Sequence, residues 1–250
     1  MIRLNDLSKS YDGAAVLADV TLDLPSGGVT AIIGPNGAGK STLLSIIGRM
    51  LKADGGSAWL DDLDLFHAPG EQVARKLAIL RQENHMTARL TVEELVSFGR
   101  YPHSRGRLTA EDRRHIARAI AYLGLEPLTD RFLDELSGGQ RQRAAIAMVL
   151  AQDTGTLLLD EPLNNLDLRH AVAIMRLIRD AARDFGKTVV VVLHDINMAA
   201  HWCDRILVMK DGRAAHFGTP DQIMQPDLLS AVYGTPIDVH RIEGRIVAIY

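Results

Sequence analysis

Cysteine is almost absent from this chain of 250 residues, because Cys203 is the only one. A single cysteine cannot form an internal disulfide, which excludes the disulfide-stabilised secreted domains and fits a reducing cytosol. The simplest interpretation of Cys203 is a small buried hydrophobic side chain. With 47% hydrophobic and 24% charged residues, the chain otherwise has the composition of an ordinary globular protein.

A large net charge and long apolar runs are also lacking. The formal net charge of −3 gives no general attraction to nucleic acid or to an anionic membrane. The longest apolar run, Val189 to Leu193, has the length of a strand, whereas a membrane span needs about 20 residues. Charged and polar residues interrupt the first dozen positions, so no targeting segment is predicted. We expect a soluble protein whose membrane role, if it has one, comes through a partner.

The most informative stretch is rich in glycine. The apolar run Ala31 to Ile33 predicts a buried strand, and Gly34 to Ser41 follows it with the spacing of a phosphate-binding loop. Glycines let the backbone bend so that successive amide groups face a polyphosphate, and the following helix adds the positive end of its dipole. Lys40 can reach the β- and γ-phosphates, and the Ser41 hydroxyl can ligate Mg²⁺. A glycine-rich turn without a ligand is the alternative, but the pattern arises by chance in about one chain of this length in a hundred.

Short apolar segments on both sides of this loop predict a mixed α/β fold. Residues 2–33 alternate apolar and polar positions, which predicts antiparallel strands leading into the loop. The apolar runs at 77–80, 156–159 and 188–193 predict buried strands, and each ends in polar residues. Parallel sheets place their sites at such strand ends. We therefore predict a site at one edge of a parallel sheet.

Each polar residue in this set also has a structural interpretation. Tyr11 could stack on a purine, although an aromatic at this point is more often an edge-strand or core residue. Asp160 and Glu161 suit a Mg²⁺ ligand and a base for an attacking water, or form a structural pair at a strand end. His194 could contact a γ-phosphate or be an ordinary loop residue. Gln82, taken alone, is only a loop amide.

Residues 86–152 contain no strand pattern, and we predict an inserted helical subdomain there. Capping motifs begin at Thr91 and Thr109, and a third helix is expected to start near Gly138. A basic cluster falls in this stretch, for which a solvated face is the default interpretation and a partner-docking patch the alternative. Its members are Arg100, His103, Arg105, Arg107, Arg113 and Arg114.

A second glycine motif, Ser137-Gly138-Gly139-Gln140, stands at the start of that third helix. A serine and two glycines at a helix N-terminus form a second phosphate-binding device. A single chain seldom needs two devices for one nucleotide, so we infer that the second serves the nucleotide of another copy. The run Leu136 to Gln140 resembles the signature motif of ABC-transporter ATPases, and the other motifs of that family match in order and spacing across essentially the whole chain.

The resemblance implies an α/β fold: a P-loop NTPase (RecA-like) parallel sheet core with an N-terminal antiparallel β-subdomain and an inserted α-helical subdomain. It implies one ABC ATPase domain over residues 1–250, with 86–152 as the helical subdomain and 1–85 and 153–250 as the α/β core. Implied nucleotide contacts are Tyr11 as the adenine platform, Gly34, Pro35, Asn36, Gly37, Ala38, Gly39, Lys40, Ser41 and Thr42 as Walker A, Ser137, Gly138, Gly139 and Gln140 as the signature, and Asp167 in the D-loop. Implied catalytic residues are Glu161, His194 and Gln82, and implied Mg²⁺ ligands are Ser41, Gln82 and Asp160.

In that family, two ATPase domains enclose two ATP molecules, each between Walker A of one copy and the signature of the other. The resemblance therefore implies ATP and Mg²⁺ as cofactors, a homodimer, transmembrane permease subunits, an indirect link to a substrate-binding protein and no nucleic acid. It implies a peripheral position on the cytoplasmic face of the cell membrane. Residues 84–86 would lie beside the groove that receives the permease's coupling helix. Two departures from the family pattern are Thr156 at the start of the Walker B strand and Asn164-Asn165 in the D-loop.

The branch of the family is indicated by two stretches. Thr91 to His103 is similar to the corresponding stretch of iron-chelate, haem and cobalamin importer ATPases, and 147–153 with 161–167 is most similar to the iron-siderophore branch. We predict a ferric-siderophore importer ATPase. The alternatives are haem or cobalamin import, or a soluble ABC-type ATPase that acts on DNA, ribosomes or Fe–S assembly. The soluble ATPase is the poorest fit, because this chain has a single domain, no long heptad repeats and no excess of basic residues.

Overall fold

The computed structural model describes residues 1–81 and 89–250. The chain divides into two compact units, of which the first contains Met1–Ala68 and Ile178–Tyr250 and the second contains Pro69–Leu177. Gln82, for which a role is predicted, lies outside the described residues, as do Asn84, His85 and Met86. The predicted limits of the helical subdomain, 86–152, stay a prediction.

The strands are β1 (Ile2–Tyr11), β2 (Ala14–Leu24), β3 (Gly28–Ile33), β4 (Gly55–Leu60), β5 (Leu63–Asp64), β6 (Leu77–Leu80), β7 (Thr156–Leu159), β8 (Thr188–Val192), β9 (Arg205–Lys210), β10 (Arg213–Gly218), β11 (Asp238–Ile242) and β12 (Arg245–Ile249). The helices are α1 (Lys40–Ile47), α2 (Gly70–Ala74), α3 (Val92–Phe98), α4 (Tyr101–Ser104), α5 (Ala110–Tyr122), α6 (Gly138–Ala151), α7 (Leu168–Asp184), α8 (Ile196–Trp202), α9 (Pro220–Ile223) and α10 (Pro226–Tyr233). Short 3-10 helices cover Glu126–Leu128 and Leu133–Glu135.

In the first unit, an antiparallel sheet has the strand order β2-β1-β4-β5. The turn between β1 and β2 is Asp12-Gly13, and both residues have positive φ, 48° and 81°. Two positive φ values characterise the type I′ turn that matches the twist of a hairpin, which explains why these two residue types stand there. The predicted N-terminal antiparallel strands are confirmed.

Parallel strands form the other sheet region of the first unit. β3 pairs in parallel with β8 on one side and with β9 on the other, and β10 pairs antiparallel with β9. Ile32 lies opposite Val192, and the Leu193 amide donates to the Ile32 carbonyl at 3.1 Å. The carboxyl ends of β3 and β8 therefore lie side by side at one edge of the sheet. The glycine-rich loop follows β3 there, and His194 follows β8.

The second unit combines a parallel strand pair with helices. β6 and β7 pair from Leu77 opposite Thr156 to Leu80 opposite Leu159, and α3, α5 and α6 pack on one another. Thr91 and Thr109 are N-caps with complete capping boxes, as their spacing predicts. Between Arg89 and Gln152 the structure shows helices and one isolated bridge, but no strand. The predicted helical character of this stretch is confirmed.

The basic cluster of the second unit is only partly a solvated face. Arg105, Arg107, Arg113 and Arg114 are exposed, but Arg100 is 4% exposed. Its Nε donates to Asp112 Oδ1 at 2.8 Å and its Nη1 to the Ala151 carbonyl at 2.9 Å. The solvated-face interpretation is therefore wrong for Arg100. Its guanidinium is hydrogen-bonded to a carboxylate of α5 and a carbonyl of α6 instead of to water.

The Asp112 carboxyl is the counterpart of this buried cation. Burial opposes its charged form, but hydrogen bonds from the Thr109 amide and hydroxyl and from Arg100 outweigh burial and lower its pKa from 3.8 to about 2. Asp112 thus closes the N-terminal cap of α5 and neutralises Arg100 with the same side chain.

Two further findings bear on the sequence predictions. Cys203 is 7% exposed, and burial, with the nearby Asp204 charge, raises the pKa of its thiol, as expected for a small core residue. Across the part of the chain that the structure describes, no helix has both the length and the apolar character to cross a bilayer.

Candidate nucleotide site

The phosphate loop of the first unit has a backbone that requires glycine. Gly34 has φ of 143° and Gly39 has φ of 92°. A Cβ on Gly34 would lie 2.1 Å from the Met209 carbonyl oxygen, and one on Gly39 would lie 2.7 Å from the Val16 carbonyl oxygen. Conformation and space both exclude a side chain at these positions. The loop backbone therefore packs directly against β9 at Gly34 and against β2 at Gly39.

Lys40 and the start of α1 complete the loop. Lys40 is 5% exposed, and its Nζ donates to the carbonyls of Gly34 at 2.8 Å and Pro35 at 2.9 Å. The N-cap, Gly39, supplies no side-chain hydrogen bond to the first turn of the helix. The amides of that turn face the end at which an anion is stabilised by the helix dipole. A buried lysine and a helix start without a side-chain cap are the parts of an anion site.

The other residues of the predicted Walker A motif follow from this geometry. Pro35, Ser41 and Thr42 are half-buried, Ala38 is buried, and Asn36 and Gly37 are exposed at the tip. The Ala38 amide donates to the Pro35 carbonyl at 3.2 Å, which closes a turn within the loop.

His194 belongs to the same edge of the first unit as the loop. It is exposed and lies two residues beyond Val192, whose partner Ile32 precedes Gly34 by two residues. Asp195 follows and caps α8, accepting from the amides of Asn197 at 2.8 Å and Met198 at 3.0 Å.

Tyr11 lies at the exposed end of the β1–β2 hairpin. The residue is 47% exposed, and the Lys9 ammonium lies 5.4 Å from the centroid of its ring. The hairpin's second strand contacts Gly39 through Val16. This exposure excludes the interpretation of Tyr11 as a core residue and is compatible with both a stacking platform and an edge-strand residue.

In the second unit, two carboxylates follow β7 directly. Asp160 is 7% exposed, and its amide donates to the Leu80 carbonyl at 2.9 Å. Glu161 is half-buried and has φ of 48°, an uncommon value for a residue with a side chain. The side-chain amide of Asn164 donates to Glu161 Oε2. Asn164, which the sequence marked only as a departure from the family pattern, therefore holds one oxygen of this carboxylate.

The signature residues begin α6. Ser137 Oγ accepts from the Gln140 amide at 3.3 Å, and Gln140 Oε1 accepts from the Ser137 amide at 2.9 Å. This is a capping box, which the serine and glutamine three residues apart could have predicted. Ser137 and Gly138 are exposed and Gly139 is buried. The exposed part of the motif is the part that a nucleotide from another copy could reach.

Asp167 is tied to the signature through a residue that the sequence did not single out. His170 donates its amide to Asp167 Oδ1 at 2.8 Å, and its Nδ1 lies 2.7 Å from the same oxygen. The amide hydrogen bond and the ring together lower the pKa of Asp167. A Cβ on Gly139 would lie 2.6 Å from His170 Cδ2. The Asp-x-x-His spacing at a helix start was the available signal, but the contact with Gly139 is visible only in the fold.

Comparison with known proteins gives consistent matches. The family model described as ABC transporter matches residues 17–164. The chain is 45% identical to a petrobactin import ATP-binding protein of Bacillus subtilis (strain 168), over 100% of this chain and 99% of that protein. It is 39% identical to a ferric enterobactin transport ATP-binding protein of Escherichia coli (strain K12), over 93% and 87% of the two chains. It is 41% identical to a hemin import ATP-binding protein of Pseudomonas aeruginosa (strain PAO1), over 96% and 95%.

Solved structures give the same result for the fold. A dimeric ATP-binding cassette in a post-hydrolysis state with ADP and phosphate matches with a TM-score of 0.78 and 32% identity, over 88% of this chain and 99% of that one. A metal-chelate type ABC transporter in an inward-facing conformation matches with a TM-score of 0.85 and 25% identity, over 100% and 97%. The predicted fold class is confirmed by these matches.

Proposed function

Since the chain belongs to the ABC transporter family of ATPases, we propose that it is the ATP-hydrolysing subunit of a bacterial importer of ferric siderophores. One observation carries the proposal: the identity of 45% with a petrobactin import ATP-binding protein extends over the whole chain. The transported substrate is determined by the complete importer, because this subunit would bind and hydrolyse ATP while the permease would form the transport pathway.

At the phosphate loop, the proposed role of the backbone amides from Asn36 to Thr42 is to bind the β- and γ-phosphates, while Gly34 and Pro35 set the shape of the loop. Lys40 exchanges its two carbonyl partners, on Gly34 and Pro35, for phosphate oxygens. The ammonium is already desolvated, so little reorganisation accompanies this exchange. Tyr11 stacks on the adenine ring.

Mg²⁺ would neutralise charge on the phosphates of bound ATP. Its proposed ligands are the Ser41 hydroxyl, the Asp160 carboxylate and the Gln82 side chain, a set of oxygen atoms of the type that Mg²⁺ prefers. Asp160 is buried next to a strand end. Three protein ligands would leave the other Mg²⁺ positions to phosphate oxygens and water.

Glu161 is the proposed general base. Its carboxylate accepts the proton of the attacking water, while the Asn164 amide holds Oε2. His194 is proposed to contact the γ-phosphate, and Gln82 to sense its presence. The left-handed backbone at Glu161 is the type of strain that clusters at functional sites.

The proposed active state is a homodimer. In it, Ser137, Gly138, Gly139 and Gln140 of one copy bind the nucleotide held by the phosphate loop of the other, and Asp167 lies at that interface. ATP binding closes the dimer and hydrolysis reopens it. The dimeric cassette among the similar solved structures supports this state.

The proposed assembly places the whole chain, as one ABC ATPase domain, on the cytoplasmic face of the cell membrane. Transmembrane permease subunits bind it there. A substrate-binding protein takes part indirectly, and nucleic acid does not. Co-purification with a polytopic membrane protein is expected; cofractionation with ribosomes or DNA would favour the soluble ABC-type alternative instead.

Uptake in a deletion strain tests the substrate. Cells lacking this gene are expected to lose uptake of labelled ferric siderophore and to keep uptake of labelled haem and cobalamin. The wild-type gene is expected to restore siderophore uptake, and the Lys40→Ala gene is expected not to restore it. Loss of haem uptake alone would support the second candidate, which the similarity to a hemin import ATP-binding protein favours.

A further inference from the structure

The C-terminal segment Thr219–Tyr250 lies beyond the residues matched by the family model, yet it is a folded part of the first unit. It contains α9, α10 and the β11–β12 hairpin. Its core residues are almost fully buried: Leu229 is 0%, Ile237 3% and Ala248 4% exposed. This degree of burial excludes a loose tail and raises the question of what the segment holds in place.

The first contact point is Tyr233, the last residue of α10. Its hydroxyl oxygen is buried and has no hydrogen-bond partner among the described residues. Burial raises the pKa of Tyr233 to about 12, and the backbone amide of Gly34 partly opposes this rise. Gly34 is the first residue of the phosphate loop. A buried hydroxyl without a partner is costly, and here it faces the one loop whose shape determines phosphate binding.

A hydrogen bond joins α10 to β9, the strand that packs against the same glycine. Lys210 Nζ donates to the Ala231 carbonyl at 2.7 Å, and Lys210 follows Met209, whose carbonyl is the close neighbour of Gly34. Gly34 thus has β9 and α10 as neighbours, and these two elements are joined to each other.

The other contact point is Asn197 in α8. Its side chain donates to the Ala248 carbonyl at 3.0 Å and accepts from the Ala248 amide at 2.7 Å. These bonds connect β12 to a helix whose cap, Asp195, directly follows His194.

We propose that the C-terminal segment positions the nucleotide site at two points: Tyr233 supports Gly34 in the loop that holds phosphate, and the Asn197–Ala248 pair fixes the helix behind His194. When nucleotide is bound, the Tyr233 hydroxyl accepts a hydrogen bond from the Gly34 amide. Tyr233 and Asn197 are positioning residues, since neither touches the reacting atoms. The inference rests on the proposed function of the site.

The two contact points predict different kinetic effects. Tyr233→Phe removes only the hydroxyl, so the KM for ATP is expected to rise about fivefold, the value of one hydrogen bond, with kcat little changed. Because that hydroxyl has no partner without nucleotide, the melting temperature of the nucleotide-free protein is expected not to fall. Asn197→Ala releases α8, so kcat is expected to fall about fivefold with KM little changed.

The experiment measures steady-state ATP hydrolysis and nucleotide-free melting for the full chain and its variants. Tyr101→Phe, the same chemical change at an exposed ring, and His240→Ala, on the exposed side of β11, are the controls and are expected to match wild type. Wild-type KM and kcat in both variants would overturn the inference, as would a Tyr233→Phe effect that only follows a lowered melting temperature. Failure of the wild-type chain to bind or hydrolyse ATP would instead contradict the proposed function.

Discussion

Single residues at the proposed site are constrained by contacts that their types explain only in part. Gly34 could be predicted from sequence, since a phosphate loop needs positive φ and close approach. The role of Asn164 could not, because only the turn after β7 brings its side-chain amide to Glu161. The sequence therefore predicts which residues carry chemistry more fully than which residues orient them.

Glu161→Gln tests the proposed base. An amide cannot accept the proton of the attacking water but fills the same space, so the variant is expected to bind ATP and accumulate as a closed dimer while turnover is lost. ATP binding, size-exclusion chromatography with ATP and steady-state hydrolysis measure the three effects. Retained hydrolysis would show that another group is the base.

Asn164→Ala tests the orientation of that base. Loss of one donor to a carboxylate is expected to lower kcat about tenfold while ATP affinity stays within about twofold of wild type. Asn5→Ala is the matched control, because Asn5 also donates from its side chain to one oxygen, that of Ser57, on a strand far from the carboxylates in sequence. A parallel loss of ATP affinity in Asn164→Ala would contradict a purely orienting role.

At the scale of elements, the helices and strands could be predicted well where a local signal exists. The capping boxes at Thr91 and Thr109 and the turn at Asp12-Gly13 specify element ends within four residues of sequence. The burial of Arg100 could not be predicted, because its carbonyl partner Ala151 is 51 residues away and comes from another helix. The Asn197–Ala248 pair, also 51 residues apart, was missed for the same reason.

The Arg100–Asp112 pair joins the helices of the second unit and predicts a dependence of stability on pH. The pKa of Asp112 is lowered from 3.8 to about 2, so its ionised form stabilises the fold above pH of about 4 and this contribution is lost as pH falls towards 2. Asp112→Asn leaves a buried cation unpaired and is expected to cost about 3 kcal/mol of the free energy of unfolding at pH 7.

Denaturant unfolding of wild type and Asp112→Asn from pH 7 to pH 2 measures this effect. The difference between the two proteins is expected to shrink by about 2 kcal/mol as pH falls from 5 to 2. Glu71→Gln is the control, because Glu71 pairs with Arg105 at 2.6 Å but Arg105 is 75% exposed, and such a pair contributes about 0–1 kcal/mol. A difference that stays constant with pH would contradict the assigned role of the Asp112 charge.

At the scale of the whole molecule, the two compact units carry different parts of the proposed chemistry. The first unit holds the phosphate loop, Tyr11 and His194, and the second holds the carboxylates, Asp167 and the signature. Ser137 and Gly138 are exposed, and the capping box already uses the Ser137 and Gln140 side chains within the chain. The exposed signature residues are accessible to the nucleotide of another copy, as the central claim of the proposed function requires.

The most direct test of this claim is Ser137→Arg, measured by ATP binding and by steady-state hydrolysis. A bulky cation on the exposed face of the signature leaves the phosphate loop of its own chain unchanged but blocks the approach of another copy. The variant is expected to bind ATP with wild-type affinity and to lose hydrolysis, as it would if the signature acts on the nucleotide of its partner. Wild-type turnover by a monomeric Ser137→Arg protein would contradict the shared site.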